Sequence, residues 1–358
     1  MSIITIIIVA FFILGAIDKL LGDRLGFGRE FEKGFMLFTP MALSMLGMLV
    51  VAPAIGVWLT PFFQWVYDTF TVDPSIIPAS LFANDMGGTT LSLSVGHTTA
   101  VAPFNAYVVS SMMGTTISYT IPVALGLVSR AKHSDMFFGI LCGIVTIPVG
   151  CFLSGLMCGV GVLSLLSNLL PLIVFSAVIV VSLVFARKIA IKVFVVFGQF
   201  MRCISIAGLI CAVFTFLTKI EICQHFDSFE NASFICVNAC VTLAGMLPFM
   251  YLLSKLLNRP IERLGTKIGV DSTSALSVFT TIVSSTPTFG LMNGMSKKGV
   301  VLNSAFAVSA AFSVGGHLAF TMAVNPDFVA PMIVGKLISG LAAFGLALLL
   351  YKDSETAE

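Results

Sequence analysis

Long apolar runs separated by short polar loops set the rhythm of this chain. Runs long enough to cross a hydrocarbon core, which takes about 20 residues of helix, lie at 3–21, 35–57, 103–128, 136–160, 168–186, 196–218, 232–256, 300–323 and 329–351, which makes nine predicted spans. Two further segments, 75–97 and 272–295, have the length but are interrupted at their centres, the first by Asn84-Asp85-Met86-Gly87-Gly88 and the second by Ser284-Ser285-Thr286-Pro287-Thr288. Each half of these segments holds roughly ten residues, about 15 Å of helix and half a bilayer. Both therefore read as re-entrant hairpins. The expected fold is an all-α polytopic membrane protein with inverted structural repeats, about nine full spans and two re-entrant helical hairpins.

Composition agrees with an embedded chain. Mean hydropathy is +1.05, and charged residues make up 10% against about 25% in soluble domains. No soluble catalytic or nucleic-acid-binding domain fits, and the whole of 1–358 reads as one transmembrane domain. The run Ile3 to Ala16 has no Lys or Arg before it and four after it (Lys19, Arg24, Arg29, Lys33). That is the reverse of a cleavable signal, so a retained first span is expected. The eight cysteines form no Cys-x-x-Cys pair and read as small apolar filler.

Loop charge discriminates between topologies, because Lys and Arg accumulate on the cytoplasmic side. Setting Lys19 and Lys336 aside and counting Arg202 and Lys255, inside 196–218 and 232–256, with the nearer loops leaves 17 of the 19 basic residues. With both broken segments crossing fully, these divide seven against ten. With both re-entrant, 16 gather on one side and only Lys219 falls on the other. The re-entrant arrangement puts the N-terminus outside and the C-terminus in the cytoplasm, the first hairpin entering from outside and the second from the cytoplasm.

An internal repeat is a second signal. At an offset of 198, Gly47-Met48-Leu49 aligns with Gly245-Met246-Leu247, Leu59 with Leu257, Val72-Asp73 with Val270-Asp271, Asn105 with Asn303 and Ser111 with Ser309; after a three-residue shift, Gly114 to Val123 follows Gly315 to Val324. Five spans separate equivalent positions, so the halves are predicted to be oppositely oriented. Repeat one covers about 1–165, a linker span 166–190, and repeat two about 191–351. Inverted repeats of this kind place a substrate site at midplane, where broken elements meet.

Asp85 is the one acidic residue expected deep in the bilayer, where an isolated carboxylate costs several kcal/mol unless compensated. Two roles suit it: an anionic anchor for an ammonium group, or a cap for the half-helix beginning near Thr89. Asn84 stands beside it. Ser111, Thr115 and Ser118 share one helical face and, with Tyr119, offer hydroxyls to a polar solute or to close helix packing. In the second half, Ser285 and Thr286 at the hairpin tip, Asn293 after it and His317 behind Gly315-Gly316 are the matching candidates. Pro287 lacks an N–H and leaves carbonyls free for a solute or cation. Lys336 lies well inside a span, either snorkelling outward or pairing with Asp85 or Asp327. No His-Glu-x-x-His, Gly-x-Ser-x-Gly or phosphate loop occurs; no enzyme, cofactor or metal centre is expected. An intramembrane hydrolase built on His317 and Asp85 would lack a nucleophile.

Several segments together carry a family resemblance: Asp85-Met86-Gly87-Gly88, Ser118 to Gly126 (SYTIPVALG), Gly143 to Gly150 (GIVTIPVG), Ala305 to Phe312 (AFAVSAAF) and His317-Leu318-Ala319-Phe320-Thr321. In these the chain resembles the ethanolamine transporters encoded in bacterial ethanolamine-utilisation operons. Residues up to about Gly34 and from Phe185 to Phe234 add little to the match. The resemblance implies import of ethanolamine across the bacterial inner membrane, chiefly when the free amine is scarce, and supplies no residue roles. The residues themselves suggest that protonated ethanolamine sets its ammonium at Asp85 and its hydroxyl at the Ser/Thr face or His317. The other readings are a carrier of another small solute coupled to Na+ or H+, with Asp85 and the second-tip carbonyls holding the cation, and a channel-like facilitator. Opposed hairpins suggest an elevator-like motion against a scaffold of the kind that forms homodimers, although no sequence feature marks the interface.

Overall fold

The computed structural model describes residues 3–351; Lys352, which entered the charge argument, lies outside them. All elements among the described residues are helical. They are α1 (Ile3–Leu20), α2 (Phe27–Trp58), α3 (Thr60–Phe70), α4 (Ile76–Leu81), α5 (Gly88–Val95), α6 (Val101–Leu127), α7 (Arg130–Met157), α8 (Val162–Phe185), α9 (Arg187–Thr218), α10 (Phe229–Ile268), α11 (Ser272–Val283), α12 (Ser285–Leu291), α13 (Lys297–Ala310), α14 (Gly316–Val324) and α15 (Pro326–Leu350). Eight of these, α1, α2, α6, α7, α8, α9, α10 and α15, are long and apolar enough to cross a membrane.

The ninth predicted span, 300–323, is not continuous. Helix α13 stops at Ala310, Phe312 takes a left-handed conformation (φ 62°), and α14 starts at Gly316. Backbone groups freed by the break are re-satisfied by a neighbour: Phe312 N–H donates to the Thr281 carbonyl (3.3 Å) and Val314 N–H to that of Ile282 (3.0 Å). Unwound backbone at membrane depth requires such partners. The cause lies in α11, not in the hydropathy of the span, and so the break is silent in a hydropathy profile.

The helices pack as two groups. Helix α2 packs against α1, α9 and α10, and α1 against α10, while α7, α13 and α15 form the most extensive contacts of the molecule, joined by α6 and the short helices. Within the first group, small residues let backbones meet. A Cβ on Gly47 of α2 would fall 1.8 Å from the Ser205 carbonyl oxygen of α9, and one on Gly245 of α10 would fall 2.3 Å from that of Ile8 in α1. Close approach at small residues is how helices associate without a hydrophobic drive between them. Helix α6 is wound with wide π-type turns over Asn105–Gly114 and Thr116–Thr120, a geometry common at functional sites.

Both interrupted segments fold as helix, break, helix, with their arms packed on each other. Their ends are clasped by aspartates. Asp73 Oδ2 accepts from the Thr98 N–H (2.7 Å) and Asp271 Oδ2 from the Ser296 N–H (2.9 Å), each bond spanning 25 residues. Asp73 also accepts from Ser75 N–H and Asp271 from Ser274 N–H. Each carboxylate thereby ties the entry of its segment to its exit.

Candidate functional site

The first break is built from backbone preferences. Phe82 and Ala83 are extended, Asn84–Met86 form one tight turn, and Gly87 sits at φ 88° before α5 begins at Gly88. A non-glycine residue at Gly87 would be strained. No side chain caps α5, so the capping role considered for Asp85 is not the one the structure has.

Instead the Asp85 carboxylate opens on a cavity of about 490 Å³. The walls come from both broken segments (Ala83, Asp85, Met86, Ser284, Thr286), from α6 (Thr115, Tyr119), from the α13–α14 break (Phe312, His317), and from α2 and α10 (Met41, Leu243). A larger share of apolar lining marks a second cavity between α10, α11, α13 and α15, walled by Ile261, Leu264, Phe279 and Leu341 among others, with no charged side chain. Its polar lining is limited to Ser274 and Asn303, with no carboxylate to hold an ammonium. The polar convergence, and hence the candidate site, is at Asp85.

Among the described residues, the one ion-pair contact of Asp85 is His317, whose Nε2 lies 3.9 Å from Oδ1. The same nitrogen is 3.4 Å from Thr115 Oγ1, and the His317 Nδ1 is 3.1 Å from Lys336 Nζ. Lys336 also donates to the Ser111 carbonyl. Across the cavity the hydroxyls of Tyr119 and Thr286 stand 2.9 Å apart, and the rings of Tyr119 and His317 flank Phe312. Behind the tips, Asn84 Nδ2 donates to Thr321 Oγ1 (3.4 Å), while Asn84 Oδ1 and Ser285 Oγ are buried with no partner among the described residues.

Of the residues singled out from the sequence, the structure brings Asp85, Thr115, Tyr119, Thr286 and His317 together at one cavity. Asn84 and Ser285 lie in the tips behind it, both fully buried. Ser111 contributes its carbonyl rather than its hydroxyl, which donates to Val108 O (2.8 Å) in its own helix. Asn293 is placed elsewhere: its amide accepts from Ser129 N–H (2.8 Å) and donates to Leu127 O (3.1 Å), fastening the loop after α6. Lys336 neither snorkels nor meets Asp327; it is 1% exposed and points inward. Its place in the row was the feature least visible in sequence, since the Ser111 carbonyl that fixes it is 225 residues away.

Residues 1–350 match the family model described as "Ethanolamine utilisation protein, EutH". The chain belongs to this family. A protein of Listeria monocytogenes named probable ethanolamine permease EutH is 35% identical over 97% of this chain and 93% of its own length. A protein of the same name from Salmonella typhimurium is 32% identical over 100% of this chain and 97% of its own. The uncharacterized Bacillus subtilis protein YxeR is 33% identical over 96% of this chain and 93% of its own. No solved structure matches. Family and apolar helices together make this a multi-pass membrane protein.

Proposed function

We propose that this chain carries ethanolamine across the bacterial cytoplasmic membrane, binding the protonated amine at Asp85 and its hydroxyl at the Tyr119–Thr286 pair. The names of its relatives point to the substrate. The observation that carries the binding mode is a carboxylate that opens on a cavity, receives no hydrogen bond from another residue among the described ones, and shares the cavity with two hydroxyls. A desolvated ammonium and carboxylate are better buried together than apart. Ethanolamine has one end for each wall, and a cavity of about 490 Å³ holds its four non-hydrogen atoms with water.

The two broken segments are re-entrant hairpins in this reading, and the halves are inverted repeats. Three matched contacts support it. The aspartate clasps fall at equivalent positions, 73 with 98 and 271 with 296. Gly47 on α9 matches Gly245 on α1. Gly114 abuts the Phe82 carbonyl as Gly315 abuts that of Val283. The group of α1, α2, α9 and α10 would then be the fixed scaffold, and also the surface available for a homodimer, while the group bearing the hairpins moves. The N-terminus lies outside and the C-terminus in the cytoplasm.

Binding and uptake of labelled ethanolamine by the purified protein in proteoliposomes test the site. At a separation of about 4 Å and an effective dielectric of 20, the ammonium–carboxylate attraction is about 4 kcal/mol; water in the cavity reduces this to about 2–4. Asp85→Asn is expected to weaken binding roughly 30- to 1000-fold. Tyr119→Phe is expected to narrow the preference for ethanolamine over ethylamine, which lacks the hydroxyl. Unchanged affinity in Asp85→Asn would remove Asp85 from the site.

A further inference from the structure

Three ionisable side chains form a row from the first tip into the second group of helices: Asp85, His317 and Lys336, with His317 offering one ring nitrogen to each neighbour. Other titratable groups face this row sparsely. Cys151 of α7 lies within electrostatic reach of Lys336, and Tyr119 of α6 and Cys236 of α10 lie within reach of Asp85. A thiol and a phenol are ordinarily uncharged at neutral pH. From α6 Lys336 receives the Ser111 carbonyl, and from α14 it receives His317. The basic residues of α13 sit at its far end, where Lys298 holds the Ile268 carbonyl, and Asp327 at the start of α15 is exposed.

The row therefore contains one acid and one strong base in a buried setting. With Asp85 ionised and Lys336 protonated it is neutral overall. A substrate cation arriving at Asp85 would leave a net positive charge buried among helices, which is costly. We infer that Lys336 is a built-in counter-cation that the substrate replaces, so that each ethanolammonium carried inward is exchanged for one proton. This rests on ethanolammonium binding at Asp85 as proposed above.

The step balances as follows. As the substrate ammonium settles against Asp85, Lys336 Nζ transfers a proton to His317 Nδ1, and the Nε2–H of the same ring passes its proton to cavity water. Lysine becomes a neutral amine, and the imidazole stays neutral in its other tautomer. On release of the substrate to the cytoplasm, a cytoplasmic proton returns to Lys336 by the reverse route. Loaded and empty sites are both neutral, so both can reorient. The net exchange moves no charge across the membrane and is thermodynamically equivalent to passage of the uncharged amine.

The test uses the full protein in proteoliposomes, with protein-free vesicles subtracted. Initial ethanolamine uptake is expected to be insensitive to a valinomycin-imposed potential of either sign. An inside-acid gradient should drive it, with accumulation of about tenfold per pH unit, and a trapped pH dye should report one proton leaving per substrate entering. Lys336→Met, left with a charged empty site, is expected to lose net uptake while exchange of external labelled for internal unlabelled ethanolamine persists at a reduced rate. Uptake accelerated by an inside-negative potential without proton efflux would overturn the exchange, as would undiminished net uptake in Lys336→Met. The wild-type measurement decides even where the variant fails to fold. If Asp85→Asn binds normally, the Asp85 site itself is wrong; if it is defective while wild-type uptake is voltage-driven, only the proton exchange is.

Discussion

A methyl group added at Gly315 should disable the molecule's second tip. The Cβ of an alanine there would lie 2.0 Å from the Val283 carbonyl oxygen, whereas a carbon–oxygen contact settles near 3.3 Å. The unwound segment must therefore retreat from α11 by about 1.3 Å. That retreat strains both backbone bonds that satisfy the break, Phe312 N–H to Thr281 O and Val314 N–H to Ile282 O. Two hydrogen bonds at about 1 kcal/mol each, added to about 1–3 kcal/mol for overpacking, make a loss of roughly 3–5 kcal/mol. Val283 directly precedes Ser284-Ser285-Thr286, so the displacement also reaches the hydroxyl that meets Tyr119. Gly114→Ala meets the same obstacle at the Phe82 carbonyl, again at 2.0 Å. Gly345→Ala is the control: nothing lies within 4 Å of a Cβ there, and helix propensity favours alanine by about 0.5–1 kcal/mol. Thermal unfolding in detergent should place Gly315→Ala and Gly114→Ala well below the unaltered protein and Gly345→Ala at or above it. If all three unfold together, the close approach of break and tip is not what holds these segments.

Other outcomes follow from the same contacts. Partial burial opposes ionisation of Asp271, but the Ser274 hydroxyl and the backbone N–H groups of Ser296 and Ser274 outweigh it and hold its carboxyl well below the usual range. A depressed folded pKa contributes stability that is full above the unfolded value of about 3.9 and is lost as pH falls through the folded value; Asp271→Asn should unfold more readily near neutrality and show a flatter acid limb. Asn105 and Asn168 exchange amide hydrogen bonds of 3.0 and 2.7 Å in a buried pocket, so Asn168→Ala should cost about 1–3 kcal/mol, measurable by chemical denaturation, and loosen α8. For topology, cysteines placed at His97 and Lys297 should react with impermeant reagents from outside and from the cytoplasm respectively; reaction from the opposite sides would undo the inverted arrangement.

What could be read from the sequence depended on whether a residue's partners were local. Asp85 stands out because a carboxylate in an apolar stretch has no local remedy, and the interruptions at 84–88 and 284–288 are legible because each gathers several polar residues with Gly-Gly or Pro in the middle of an apolar segment. Asp73 and Asp271 appeared only as matching letters in a repeat. Their work as clasps is invisible because each partner lies 25 residues downstream. The stretch Ala310 to Gly316 is as apolar as a continuous span, and it breaks because α11 supplies carbonyls for its amides. Lys336 was ambiguous for a related reason: one lysine in an apolar run does not say which face of α15 meets α7 and α13, and that face decides whether the ammonium reaches lipid headgroups or His317.

In the proposed reading, a symmetric scaffold with asymmetric chemistry would suit the site to one kind of solute. In the repeat reading, the tip that answers the one bearing Asp85 is Ser284-Ser285-Thr286, and the position equivalent to His317 is Thr116. Thr286 meets Tyr119 across the cavity, but Thr116 spends its hydroxyl on the Met112 and Val308 carbonyls and is lost to packing. The backbone devices are duplicated: an aspartate clasp at the base of each broken segment and a glycine packed against each first arm. The charges are not, because Asp85 comes from the first half while His317 and Lys336 come from the second. A site charged at both tips would select a dication or bury a surplus, and a site charged at neither would give an ammonium no anchor. One anionic tip, one hydroxyl tip and an internal lysine that can yield its proton together match a small molecule with one ammonium and one hydroxyl. The two halves must also remain in register for that match to exist, since neither carries the complete row alone.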